Sequence, residues 1–377
     1  MIPLNSNLSG LKRSPIRLYT NLANTTPGCI KLTIGEPDLD TPANICTAAV
    51  SALEAGQTHY APNQGTTALR RAIADYETRR GHGVGDTQVL VTIGATQAIF
   101  TALLGILNPG EEVIIPVPGF VLYESIVLAA GGVPRYLDLS KSGFQIDTAA
   151  LEALISPRTK AIILNSPNNP TGAVLNAGSL AAVKAAVLGK PIFVLCDNVY
   201  QALSDIPCPD LSTDEVLQDQ VLVCQSFSKP WAMTGWRIGY LTAPEYVMER
   251  LLLLSAATIA SVPTFLQAAA LEALAISPEP LAEVFRRRRA FAARRLQEMG
   301  LTFPEPQGAF YLFPEIRSFG MTADEFCTRL IKEAGVAAVP GSCFGTEGYI
   351  RISCCCSDAD LEEGLNRLEG FIRSLHP

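Results

Sequence analysis

Between about Gly85 and Ala243 the chain alternates short apolar runs, many rich in β-branched residues, with longer Ala/Leu-rich stretches. The runs are QVLVTIG, EEVIIPVP, GVPRYLDL, KAIILNSP, KPIFVLCD, QVLVCQSFS and GWRIGYLT. Several are apolar at consecutive positions, as expected of strands covered on both faces. Between them, ATQAIFTALLGIL and AGSLAAVKAAVLG read as helices. Strand and helix in alternation predict an α/β fold with a mostly parallel sheet flanked by helices.

Past Ser277-Pro278-Glu279-Pro280 the pattern changes. The arginine-rich stretch LAEVFRRRRAFAARRLQEMG reads as one helix. It is followed by short strands (AFYLFPEI, VAAVPG, GYIRISCC) separated by two amphipathic helices, an α+β arrangement. We therefore expect a large domain over residues 38–278 and a smaller C-terminal domain over 279–377. Residues 1–37, punctuated by Pro and Asn, are expected to form an arm and part of the small domain. Arg286 to Arg289, with Arg294 and Arg295, raise the question of a phosphate-rich partner; the expected reading is a solvated helix face with some interdomain ion pairs.

Composition narrows the function. The 377 residues carry a net charge of −7, which argues against general nucleic-acid or anionic-membrane binding, since both need a basic footprint. The longest apolar run, about Leu251 to Val262, is shorter than the ~20 residues of a spanning helix, and no apolar signal core opens the chain, so no membrane association is expected. His59, His82 and His376 are far apart and no Cys-x-x-Cys pair occurs, so no metal site is expected. The ten cysteines sit mostly in apolar runs, a usage that fits reducing cytoplasm.

In open α/β sheets ligands bind beyond the carboxyl ends of the strands. Those ends carry Asn168-Asn169-Pro170-Thr171-Gly172, Asp197-Asn198-Val199-Tyr200, Ser226-Phe227-Ser228-Lys229, Gly94-Ala95-Thr96 and Pro118-Gly119-Phe120. Neither the Gly-rich dinucleotide fingerprint nor a Walker loop is present. The inventory of an amine, an acid, hydroxyls, a helix start and an aromatic ring fits pyridoxal 5'-phosphate, which needs a lysine, an acid at its ring nitrogen and donors for one phosphate.

The stretches LTIGEPDLDTP, HYAPNQGTTALR, SPNNPTG, DNVYQAL, SFSKPWAMTGWRIGY, PQGAFYLF and PGSCFGTEGYIRIS, taken in order, resemble the motif set of class I/II aminotransferases, pyridoxal-phosphate enzymes of fold type I. The resemblance covers most of the chain. It implies that Lys229 is the Schiff-base and proton-shuttling lysine, that Asp197 pairs with the ring nitrogen, and that Asn169 and Tyr200 bind the phenolic oxygen. It implies a phosphate held by Ala95, Thr96, Ser226, Ser228 and Arg237, a ring stacked on Phe120, and a substrate α-carboxylate gripped by Arg351 beside Gly35 and Asn169. Tyr60 matches a tyrosine that reaches the neighbouring subunit's phosphate, which implies a homodimer with shared sites.

Two positions depart from the family pattern. Asn198 stands where glutamate is common, and Thr96 stands where aspartate-preferring members carry lysine. The expected substrates are thus an L-amino acid with a neutral side chain and a 2-oxo acid, with Phe120 and the Trp231 loop offering apolar contact. Glutamate or its oxo acid can serve as the second partner only if an arginine of the arm, such as Arg13 or Arg17, swings over the site. The alternatives are an eliminating lyase on the same fold, acting at a C–S or other β bond, and a binding module that only senses the cofactor. The second lacks spare chain for a DNA-binding segment.

Overall fold

A computed structural model describes residues 2, 5–11 and 15–375. After a short strand β1 (Ile30–Lys31) the chain lays down β2 (Val89–Thr92), β3 (Glu112–Val117), β4 (Val133–Asp138), β5 (Thr159–Asn165), β6 (Phe193–Asp197), β7 (Val221–Ser226) and β8 (Gly239–Thr242). The last seven form one sheet in the order β2-β8-β7-β6-β5-β3-β4. It is parallel from β4 to β7, whereas β8 runs antiparallel to both of its neighbours. The continuously apolar strands β2, β7 and β8 are buried at every residue. β4, the Pro- and Arg-containing run, lies at one edge and is fully buried only at Leu137, whereas β2, at the other edge, is covered throughout. β8 begins four residues later than the GWRIGYLT run. Arg237 has a φ of 53°, a left-handed conformation that no extended strand accommodates.

The rest of the chain builds β9 (Tyr311–Leu312), β10 (Val336–Ala337), β11 (Val339–Pro340) and β12 (Ile350–Ser353). β11, β12 and β9 form an antiparallel sheet, and β10 pairs in parallel with β1. VAAVPG, expected as one strand, is therefore divided at Ala338 between two partners. The helix Asp358–Leu375 buries Leu361, Leu365, Leu368, Phe371 and Ile372, one stripe at helical spacing. They share a core with Leu296, Phe326, Ile350 and, from the first 32 residues, Tyr19, Ala23 and Leu32. Each buried leucine contributes roughly 1.5–3 kcal/mol.

The arginine run is only half solvated. Arg288 and Arg289 are buried, because charged partners from distant segments enclose them. Arg288 donates to both oxygens of Asp38 at 2.6 and 3.0 Å and to Asp358 at 2.7 Å. Arg289 donates to Asp205 and to the Ala309 carbonyl, and Arg286 pairs with Asp205 and Glu279. These are internal ion pairs, and the helix Glu279–Glu298 is tied by them to the loops that follow β1 and β6.

Candidate active site

The carboxyl ends of β5, β6 and β7 meet the start of the helix Gly94–Ile106 around a cavity of about 500 Å³. Of the residues matched by motif to cofactor and substrate, all but Tyr60 line it: Gly35, Ala95, Thr96, Phe120, Asn169, Asp197, Tyr200, Ser226, Ser228, Lys229, Arg237 and Arg351. Five of the stretches involved follow β2, β3, β5, β6 and β7, which point the same way and deliver their C-terminal loops to one side, while Gly35 follows β1 and Arg351 lies in β12. Tyr60 is 90% exposed and stands away from this cavity.

At one end lie groups that suit a phosphate. The helix Gly94–Ile106 offers its free first-turn amides, where the backbone dipoles favour an anion. Gly94 has φ +70°, and a Cβ there would come within 2.6 Å of Arg237 Nη2, so only glycine lets the guanidinium approach the helix start. Arg237 Nη1 donates to the Thr234 carbonyl at 2.9 Å. Ser226 Oγ accepts the Ser228 amide at 3.0 Å, which holds the two hydroxyls on one short turn.

The middle of the cavity holds the acid and the amine. Asp197 is buried and accepts a 2.5 Å hydrogen bond from the Tyr123 hydroxyl. Burial raises its pKa to about 6, against the opposing pull of the Tyr123 and Val199 hydrogen bonds and the Lys229 charge. Lys229 Nζ donates to the Gly35 carbonyl at 2.6 Å. Burial lowers the pKa of its ammonium, Cys355 and Glu36 oppose that shift, and Arg237 and Arg351 add to it. Both groups are pushed toward their uncharged forms, the condition in which an amine can act as nucleophile and base.

At the far end Arg351 is 2% exposed. Its Nη1 donates to Asn169 Oδ1 at 2.9 Å and its Nη2 to the Thr33 carbonyl at 2.6 Å, and its Nε has no hydrogen-bond partner among the described residues. The guanidinium lies 4.5 Å from the Tyr311 ring centre and 4.9 Å from that of Phe344. A buried cation with only neutral acceptors and a vacant donor is a receptor for a carboxylate.

Three buried residues complete the site without having been anticipated. Tyr123 holds Asp197, and its spacing of three from Phe120 was the one available sign, since both precede or open the helix Leu122–Ala129. Tyr311 hydrogen-bonds the Tyr200 hydroxyl at 3.0 Å, and its own hydroxyl fills the space a Cβ on Gly35 would need. Asn165 donates to the Asp197 carbonyl and accepts the Asn169 amide at 2.8 Å. One expectation fails. Trp231 is buried in a separate core with Phe227 and Met233 and does not line the cavity; the apolar contact comes instead from Ile16, Ile34 and Ile99. Arg17 is exposed and is not in the cavity wall, whereas its helix neighbours Ile16 and Thr20 are; Arg13 lies outside the described residues.

The donor set fits pyridoxal phosphate: anion donors at one end, a buried acid and amine between, and an unsatisfied guanidinium at the other. Residues 27–368 match the family described as aminotransferase class I and II. An aromatic-amino-acid aminotransferase 2 of Thermococcus litoralis is 38% identical, with 98% of each chain covered. An aspartate aminotransferase of Pyrococcus abyssi is 37% identical at the same coverage. Among solved structures, the aspartate aminotransferase of Thermus thermophilus with maleate superposes with a TM-score of 0.92 at 34% identity, over 98% of this chain and all of the other. Sequence match, fold and donor set agree, and the chain belongs to the class I and II aminotransferases, pyridoxal-phosphate-dependent enzymes of fold type I.

Proposed function

We propose that this aminotransferase takes the amino group of an L-amino acid with a neutral side chain and passes it to a 2-oxo acid, with Lys229 carrying the cofactor and moving the proton. The observation behind the reading is the shared cavity of an amine and an acid both shifted toward neutrality, facing a buried guanidinium with a vacant Nε. Bound there, pyridoxal phosphate supplies an aldehyde that exchanges between amines and a ring that takes up the electron pair left at the substrate Cα.

The protein's own residues do the rest. Lys229, released as a neutral amine, lifts the Cα proton and returns it. Asp197 would hold the ring nitrogen, and a cation against it favours the ionised carboxylate. Tyr200 and Asn169 would face the phenolic oxygen, while Ala95, Thr96, Ser226, Ser228 and Arg237 would hold the phosphate and Phe120 the ring face. Arg351 grips the α-carboxylate with two parallel donors and so orients the Cα–H bond toward Lys229.

Ile16 and Ile34 in the wall, and Thr96 in place of a lysine, support a neutral side chain, since a buried second carboxylate without a cation is costly. The relatives named for aromatic amino acids and for aspartate bracket the choice. The exposed Tyr60, Val50, Leu53 and Leu253 support a homodimer in which Tyr60 serves the partner's phosphate. Free thiols throughout the described chain and the lack of any described helix long and apolar enough to cross a membrane support a cytoplasmic location. Residues 38–278 as a cofactor-binding domain and 279–377 as a smaller one remain our division of the chain, with part of residues 1–37 joining the smaller.

Borohydride reduction of the loaded protein followed by peptide mapping tests the assignment; label on a peptide lacking Lys229 overturns it. A panel of amino acids, read by conversion of the cofactor's absorption, then ranks donors. A tenfold preference for aspartate over alanine, methionine and phenylalanine, about 1.4 kcal/mol in transition-state binding, overturns the neutral-side-chain reading.

A further inference from the structure

Behind the wall that carries Asp197 and Tyr200 lies a second cluster of buried ionisable groups. His82 is 2% exposed, with Glu77 at 2.6 Å from Nδ1 and Asp210 at 3.2 Å from Nε2. Glu77 also accepts from the Tyr240 hydroxyl. Ser212 Oγ lies 2.5 Å from His82 Nε2, so Ser212, His82 and Glu77 have the connectivity of a nucleophilic triad. Asp210 removes that option. Glu77 Oε2 has no donor among the described residues unless Nδ1 carries a proton, and Asp210 asks the same of Nε2. A ring that is a donor at both nitrogens cannot take the proton of a serine.

The cluster faces the active site through Asp210. Its Oδ2 accepts from Asn198 Nδ2 at 2.9 Å and from Gln201 Nε2 at 2.7 Å, and its Oδ1 accepts the Ser212 amide at 2.7 Å. Gln201 also takes a hydrogen bond from Gln225, next to Ser226, at 3.3 Å. Along Asp197-Asn198-Val199-Tyr200-Gln201, Asp197, Val199 and Tyr200 line the cavity, while Asn198 and Gln201 point to Asp210. We infer that His82 and Asp210, acting through Asn198 and Gln201, are a buried anchor that positions Asp197 and Tyr200 for the cofactor. His82 neutralises Asp210, Asp210 fixes two side chains, and those two side chains set the backbone from which the ring-facing residues project. The inference rests on the reading of Asp197 and Tyr200 given above and adds positioning residues to it.

Two variants test it, each measured as stripped and as cofactor-loaded protein. Asn198→Ala cuts the link and leaves the Glu77–His82–Asp210 charges in place. It should leave the melting temperature of the stripped protein within about 2 °C, weaken pyridoxal phosphate by about tenfold or more, as loss of an outer-shell partner does, and move the pH midpoint of the bound cofactor's visible absorption by about half a unit or more. His82→Gln should move the last two readouts in the same direction while also lowering the melting temperature; if it does not fold, Asn198→Ala decides. Wild-type affinity and midpoint in Asn198→Ala overturn the anchor, since a purely structural cluster would change stability alone. Failure of the wild type to be labelled at Lys229 overturns the reading of the cavity itself, so the two failures are distinguishable.

Discussion

Two buried groups of charges lie on either side of the Asp197–Tyr200 segment, and they are balanced in opposite ways. In the cavity, burial dominates: it lowers the pKa of Lys229 and raises that of Asp197. In the cluster behind it, partners dominate. Burial alone would lower the pKa of His82, but the hydrogen bonds and charges of Asp210 and Glu77 outweigh it and raise the value to about 9. Burial likewise works to raise the pKa of Asp210, and His82 and Ser212 hold it below the ordinary carboxylate value. The cavity contains charges whose partners are a carbonyl, a phenol and an amide, and a donor with no partner among the described residues. The rear cluster closes each charge with an opposite one. A buried group left open is where a charged ligand belongs, and a group closed on itself can only hold something in place.

The largest expected effect comes from removing the buried acid of the open group. Asp197→Asn should retain cofactor and slow proton abstraction in single turnovers by roughly 10³-fold or more, about 4 kcal/mol, because a neutral amide no longer favours a protonated ring nitrogen. Near-wild-type rates would mean that the acid is not part of the open balance. Next, Arg351→Lys should weaken amino-acid donors by about 2–5 kcal/mol, since a point charge cannot replace the planar fork, with cofactor loading unchanged. Equal losses for amines lacking a carboxylate would remove Arg351 from the substrate site.

The closed group makes a prediction about pH. His82 has a folded pKa of about 9 against 6.5 ordinarily, so its contribution, on the order of 3 kcal/mol, is complete below pH 6.5 and lost as pH rises through 9. Asp210, shifted down, contributes above about pH 4 and loses that contribution in acid. Facing these two are Glu77, Tyr240 through Glu77, and Arg80 near Glu77. Denaturant unfolding of the stripped protein between pH 6 and 9.5 should show the alkaline loss in the wild type and not in His82→Gln; parallel curves would contradict the protonated ring. The smallest effect expected is a gain. Thr96→Lys should raise kcat/KM for aspartate relative to alanine by about tenfold, or 1.4 kcal/mol, and an unchanged ratio would put the substrate side chain elsewhere in the cavity.

Legibility followed the range of the interaction. The strands appear as apolar runs because burial on both faces acts on each residue separately, and the lysine, acid and arginine of the site lie within short motifs such as SFSKPW and GYIRIS. Tyr123 and Tyr311 were hidden because an aromatic residue in an apolar run reads as core until its hydroxyl is seen on Asp197 or Tyr200. Trp231 misled for the converse reason: its neighbours in sequence belong to the site, but its ring turns to Phe227 and Tyr76 on the other side. His82 had only a negative meaning in the sequence, as a histidine too isolated for metal, and the substituted Asn198 registered as a departure without a partner.

The chain by itself therefore determined the alternation of elements, the family and the cofactor, because each depends on local burial or on contiguous motifs. The tertiary structure alone decided in which direction each buried group is pushed. Whether a buried acid, amine or imidazole ionises depends on counter-charges brought together across more than a hundred residues, as Asp210 is with His82. In a low-dielectric interior those distances of a few ångströms set the balance between desolvation and pairing.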